Sequence, residues 1–288
     1  MNTGIQSNLF LTIRRRCPAT GRTTVTQRAQ HNLFLDGGLA ALAGNCVNTT
    51  GGIVNQILWS DSAVAPVATD TTLASTLLTS KMLGHARTTQ GVALFYFKLP
   101  FDVGDELSVN GSTIASIGMK TSDSGGAKPS DDKLVAATLL DPAIPKDAFV
   151  EITGTWVISF APVVADGEQW YLGWRRFLAS KLQNLSDFGI LDYVAFGTAS
   201  SSTKPDPESE ALVTAVHRKA TTWTATLGVI SCSATLLQAE YSAATLVEMG
   251  VKSGAVANED VFIRRDGFSV DMTANNGAYA IDITLSRG

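Results

Sequence analysis

Along much of the chain apolar and polar positions alternate with a period of two, the pattern of half-buried strands. The alternation is plainest in "VEITGTWVISF" (150–160) and "AYAIDITLSR" (278–287). "GVALFYFKLPF" (91–101) and "TWTATLGVISCSATL" (222–236) alternate or run apolar. Both are rich in the β-branched and aromatic residues that fit a pleated, partly buried surface. Asn110-Gly111, Asp266-Gly267 and Asn276-Gly277 separate such runs and are expected to form tight hairpin turns, since Gly accepts positive φ. Two stretches break the period. "HNLFLDGGLAALAG" (31–44) predicts a short helix capped by Asp36, and "WYLGWRRFLASKLQNL" (170–185) has helical spacing in Trp174, Phe177, Leu178 and Leu182. "DTTLASTLL" (70–78) and "ESEALVTAV" (208–216) fit either a short capped helix or an edge strand.

The pattern also repeats on a larger scale. "ILWSDSAVAPVATDTTLASTLLTSK" (57–81) and "YVAFGTASSSTKPDPESEALVTAVHRK" (193–219) each run from an apolar pair and an aromatic, through a small polar loop, to a proline. Trp59 then matches Phe196, Pro66 matches Pro205, Leu73 matches Leu212, and Lys81 matches Lys219. Further on, "IASIGMK" (114–120) matches "LVEMGVK" (246–252), which sets Gly118 on Gly250 and Lys120 on Lys252. The expected fold is mainly β: two tandem antiparallel β-sandwich, jelly-roll-like domains, each with a short helix near its start. Residues 1–162 would hold an N-terminal arm and the first copy, and residues 163–288 the second. The boundary is set by Pro and Asp-Gly in "APVVADGEQ" (161–169).

Composition narrows the function more than it names it. A length of 288 residues fits two domains, and 17% charged residues is low for a freely soluble monomer, as expected of a chain whose surface is partly covered by neighbouring subunits. A net charge of −4 and an isoelectric point of about 5.4 argue against nucleic acid as the main partner. No uncharged apolar stretch approaches the roughly 18 residues of a membrane span, and the N-terminus does not read as a signal peptide. Cys17, Cys46 and Cys232 form no metal-binding or disulfide pattern, and fit folding in a reducing cytoplasm.

Catalytic patterns are missing from the sequence. His31, His85 and His217 are accompanied by no nucleophile elbow, and there is no zinc-binding His-Glu pair, phosphate loop or dinucleotide fingerprint. No cofactor is expected. Asp102, Asp105 and Glu106 crowd one turn, which reads as a solvated turn more readily than as a Ca²⁺ loop. Asp131 and Asp132 sit in the polar insertion "TSDSGGAKPSDDK" (121–133), a surface loop. Arginines cluster at Arg14-Arg15-Arg16, Arg175-Arg176 and Arg264-Arg265. Trp170, Tyr171, Trp174, Arg175, Arg176, Arg264 and Arg265 are the candidate interface residues, because aromatics and Arg are enriched where proteins meet. Core packing of the aromatics is the competing account.

These landmarks resemble the β-rich proteins of tailed-bacteriophage tails, baseplates and necks, the tail-collar-fibre-like group. Asn32 to Ala43 fits the opening "N-L-x-L-x-x-G-L-x-x-L-A" element of that family, and Gly197 to Leu212 fits its "G-T/S-x…P…L" segment. Val247-Glu-Met-Gly250 fits "I-x-E-x-G", with Ser116 in place of the Glu in the first copy, and Val150 to Phe160 fits the terminal strand. The resemblance implies a non-enzymatic virion structural protein that assembles in the host cytoplasm as a homo-oligomer and contacts other virion proteins. A receptor- or glycan-binding module, with Trp170 to Trp174 stacking on sugars, is the alternative.

Overall fold

The computed structural model describes residues 2–47, 52–102, 109–122, 132–163, 168–170, 172–183, 185, 188–198, 215–240, 245–253, 262–272 and 276–287. The chain is mainly β. A hairpin of β1 (Asn2–Arg16) and β2 (Thr23–Phe34) leads into α1 (Asp36–Val47). Then follow β3 (Ile53–Ser60), β4 (Thr76–Lys81), β5 (Gly84–Arg87), β6 (Ala93–Leu99), β7 (Ser112–Ser122), β8 (Leu134–Lys146) and β9 (Val150–Val163). The second half opens on β10 (Glu168–Trp170) and α2 (Leu172–Gln183). It continues through β11 (Leu191–Gly197), β12 (Ala215–Ala220), β13 (Trp223–Thr226), β14 (Val229–Leu236), β15 (Thr245–Ser253), β16 (Ile263–Asp271) and β17 (Gly277–Arg287).

One order of pairing occurs in both halves. The first half pairs β2-β8-β7-β3-β4, and the second β10-β16-β15-β11-β12. Beside them lie β5-β6-β9 and β13-β14-β17. The registers agree in detail. Leu58 faces Gly118 and Trp59 faces Ile117, while Ala195 faces Gly250 and Phe196 faces Met249. The pairing shifts between Val54 and Gln56 in the first half and between Leu191 and Tyr193 in the second. Trp59 meets Phe97 edge-on at 5.6 Å, and Phe196 meets Tyr279 at 5.2 Å, so in each half an aromatic of the larger strand set touches one of the smaller set. One expected match moves by a residue. Trp59 faces Leu78 and Phe196 faces His217, so Lys81 corresponds to Ala220 and not to Lys219.

β1 joins the halves. Along one edge it pairs antiparallel with β9 from Asn2 to Arg15. Along the other, Asn2–Ile5 pairs in parallel with β17, and Ser7–Arg16 pairs with β2. Corresponding strands β9 and β17 thus run in opposite directions on either side of β1, as a local twofold relation requires. The helices cross over in the same sense. α1 packs on β13, β14 and β17 of the second half, and α2 on β5, β6 and β9 of the first. They also touch each other, where Asn45 Nδ2 donates to the Lys181 carbonyl at 3.1 Å. Two glycines mark the crossed contacts. Gly91 (φ +74°) lies in the β5–β6 turn, where a Cβ would stand 2.6 Å from the Arg175 backbone of α2. Gly228 (φ +84°) lies in the β13–β14 turn, where a Cβ would stand 3.1 Å from Leu39 of α1.

Buried residues from both halves form one continuous cluster, so the 162/163 division separates two sequence copies that share a core. A smaller cluster of Leu35, Leu58, Leu73, Leu134 and Ala137 covers the opposite face of the first half's larger strand set.

Two of the three expected hairpin turns are not formed. Asp266-Gly267 lies within β16, where Gly267 to Ser269 oppose Val247 of β15 alone, and so forms an irregularity in a strand. Asn110-Gly111 does form a tight turn, with Gly111 at φ 91° and the Ser112 N–H donating to the Val109 carbonyl at 3.2 Å, while residues 103–108 before it lie outside the described residues. Asn276-Gly277 starts β17, whose partners are β14 and β1 rather than β16. The two-residue turn is Leu227-Gly228, with φ of 45° and 84°. A dipeptide signals a turn, but the sheet partner is chosen by distant strands. Both ambiguous segments end in edge strands, β4 and β12.

Candidate interface surfaces

The seven predicted interface residues part company in the structure. Trp174 is fully buried: its Nε1–H donates to the Thr3 hydroxyl at 3.0 Å, and its ring stacks on Phe177 at 5.4 Å. It is a core residue that ties α2 to β1 and cannot present a face to a sugar. Arg176 is drawn inward too, its Nε donating to the Thr89 carbonyl at 2.7 Å. Beside it Arg87 Nη1 donates to the Ser180 hydroxyl at 2.5 Å, so these groups tether α2 to the β5–β6 hairpin. Arg175 and Arg265 are exposed. Strand pairing of β10 with β16 sets Trp170 opposite Ile263 and Gln169 opposite Arg264. The side chains of Trp170 and Arg264, and the whole of Tyr171, lie outside the described residues.

Of the acidic turn, Asp102 accepts from Asn110 Nδ2 at 3.2 Å, while Asp105 and Glu106 lie outside the described residues. Asn110 in turn receives the buried Lys146 ammonium at 2.9 Å, which also donates to the Phe101 carbonyl. Burial lowers the Lys146 pKa against the opposing pull of Asp147 and Asp102. The site is a structural knot that closes the base of β7 and β8. Asp132 pairs with Lys120 at 2.9 Å, and Asp131 lies outside the described residues. No group of three or more potential metal ligands occurs among the described residues. His31 and His85 are exposed on separate strands. Burial raises the thiol pKa of Cys46, and that of Cys232 to about 12, so neither is a ready nucleophile. No described helix is long and apolar enough to cross a membrane.

The surface that sequence reasoning passed over is the β1–β2 ribbon. From Thr23 to Gln27 every residue of β2 is exposed, so this end of β2 has water on both faces, while Leu11 and Ile13 of β1 beside it stay buried. At Leu33 and Phe34 the pairing of β2 passes to β8, and between Thr23 and Asn32 its backbone pairs with β1 alone. Side chains span the gap to β8: Gln30 Nε2 donates to the Thr138 hydroxyl at 2.7 Å, and Arg28 Nη1 donates to the Pro142 carbonyl. Registers across β6, β9, β1 and β2 place Tyr96, Thr155, Phe10 and Ala29 in one row on the outer face. The row through Thr12 separates this one from a row on the same face that holds Glu151, Arg14 and Val25. Phe10 is 48% exposed and Val25 57%, large values for apolar side chains on the face of a sheet.

At the ribbon's end the residues turn basic. Glu151 is nearly buried, and receives Lys98 at 2.6 Å and Arg14 at 2.8 Å. Burial works to raise its pKa, but hydrogen bonds and charge from Lys98 and Arg14 outweigh this and hold the carboxyl below its ordinary value. Arg15 reaches Asp147 at 3.5 Å and the Pro145 carbonyl at 3.2 Å. Arg16 and Arg22 make no side-chain hydrogen bond or ion pair among the described residues. With Arg15, Cys17, Thr20, Thr24, Asp147 and Phe149 they line an open cavity of about 580 Å³. A sequence signal for this surface exists. Residues 1–35 contain five arginines and no acid, whereas the remaining 253 residues carry 17 Lys and Arg against 26 acids, a net −9. Whole-chain charge averages that asymmetry away.

No family model, curated protein or solved structure matches the chain.

Proposed function

We propose that the chain is a non-enzymatic structural protein of a tailed-phage virion, a tail, baseplate or neck component that oligomerises and bridges its neighbours. The observation that carries this reading is the crossed packing of the two halves about β1, beside which the Thr23–Gln27 end of β2 stands with both faces in water. Such a body is rigid where its copies interlock, and offers a preformed arm for contact with another subunit. Preorganised arms lower the entropy lost on association, which suits repeated assembly. Each half is read as an antiparallel sandwich of a five-stranded and a three-stranded set, with residues 1–162 and 163–288 as the products of a duplication. The family-like elements lie on β2–α1, β15 and β9, inside that recurring frame. The partners are further copies of the chain and other virion proteins, and the place of action is the particle, after assembly in the host cytoplasm. Trp174 no longer supports glycan stacking, which weakens the receptor-binding alternative.

Mass spectrometry of purified particles, with electron microscopy to locate the density, tests the proposal. The expected result is the chain at fixed stoichiometry in a symmetric ring or collar. Its absence from intact particles overturns the proposal.

A further inference from the structure

We infer that the arginine-rich end of the β1–β2 ribbon is the docking arm by which one copy of this chain holds a second copy. The inference rests on the oligomeric part of the proposed function and names its contact surface.

Charge complementarity identifies the occupant. The ribbon carries five arginines and no acid, and the rest of the chain is net −9, so the ribbon of one copy is attracted to the body of another. All five cations are Arg. A planar guanidinium fork binds carboxylates with two parallel hydrogen bonds, which a lysine cannot do. Arg16 and Arg22 are the groups with that capacity free, and they flank an open cavity walled by the aromatic ring of Phe149, itself 42% exposed. Within the chain, Arg14 and Arg15 already reach carboxylates, each through a single contact, to Glu151 at 2.8 Å and Asp147 at 3.5 Å.

Apolar residues on the same arm point to a protein partner instead of nucleic acid. Phe10, Val25 and Tyr96 are exposed on the ribbon's outer face and on β6, among the arginines and Lys98. Aliphatic Val25 has no ring to stack on a base, whereas apolar and aromatic side chains interleaved with Arg are typical of the buried part of protein interfaces. The net −9 body would also repel a phosphate backbone. An arm that meets a different surface on its partner makes a head-to-tail contact, which closes into a ring when the rotation permits.

Sedimentation of the full chain, at about 50 mM and about 500 mM salt, reads the prediction directly. The wild type is expected to associate at low salt and to dissociate at high salt. Arg16→Glu/Arg22→Glu is expected to weaken association by roughly tenfold or more. Phe10→Ser is expected to weaken it with the salt dependence retained. Thermal unfolding of each variant should match the wild type, since these side chains are exposed. Association of unchanged strength and salt dependence in the charge-reversed variant overturns the inference and leaves the structural role standing. A wild type that stays monomeric at every concentration overturns both. Retention of a DNA duplex by the wild type, lost in the charge-reversed variant without any self-association, replaces the inference with a nucleic-acid arm.

Discussion

Counted from its first residue, α1 carries Gly38 and Ala41 where α2 carries Trp174 and Phe177. Both helices cross onto the smaller strand set of the other half, yet they fill the space differently. A Cβ on Gly38 would stand 2.5 Å from the Val135 carbonyl of β8, so α1 lies directly on backbone. α2 is held by rings, with Phe177 stacked on Phe262 at 4.8 Å and Trp174 tied to Thr3 of β1. Close packing permits this trade because interior volume must be filled, whichever side supplies the atoms. The entering strands differ more. β2 is 12 residues long and continues a ribbon into water, whereas β10 has three residues. The halves agree where they face each other and diverge where the first faces outward.

The largest expected break in this comparison is Trp174→Ala. It empties the aromatic side of the crossed packing and severs the bond to Thr3, at a cost of about 3–5 kcal/mol in denaturant unfolding. The two turn glycines come next. Both are at positive φ. Gly91→Ala brings a methyl 2.6 Å from the α2 backbone and should cost about 2 kcal/mol. Gly228→Ala should cost about 1 kcal/mol, because its nearest neighbours, the Leu285 carbonyl at 3.0 Å and Leu39 at 3.1 Å, stand further off. Equal costs at the two sites would contradict the closer approach of α2 to its crossed turn. A smaller effect is expected at the rim. Arg287 of β17 pairs with Asp36 of α1 and donates from Nε to the Phe34 carbonyl at 2.9 Å. Both side chains are about one-third exposed, so Arg287→Ala should cost under about 1 kcal/mol, and less in high salt.

The least visible effect at neutral pH concerns Glu151. Its folded pKa lies below the ordinary 4.5, so its contribution to stability is complete above that value and is lost as pH falls through the folded value. Stability measured from pH 6 downward should therefore decline along this limb, and Glu151→Gln should flatten the decline. A profile unchanged by the substitution would show that Lys98 and Arg14 do not hold the carboxylate.

Alternation and landmarks in the sequence carried the β-rich class, both helices and the facing of the Trp59 and Phe196 strands toward Gly118 and Gly250, since these depend on local period and spacing. The turns were less legible. Asp266-Gly267 has the right local chemistry, but β15 and β16 absorb it as an irregularity because both strands remain paired beyond it. Among the candidate interface residues, Arg175 and Arg265 are exposed, while Trp174 is core. An aromatic beside an arginine pair reads alike whether the helix face turns outward or inward, and that face is decided by β1, which is 171 positions away at Thr3. The ribbon's charge was present in the sequence, as an acid-free opening of 35 residues. The exposure of Thr23–Gln27 on both faces of β2 was not, because it depends on what packs over each face of the sheet. The sequence by itself determined the β-rich class, the two helical stretches and the matching of the strands around Trp59 and Phe196. Only the tertiary structure decided that β1 lies between β9 and β17 and that each helix closes the other half, because contacts between distant segments are selected by mutual burial that no local pattern encodes.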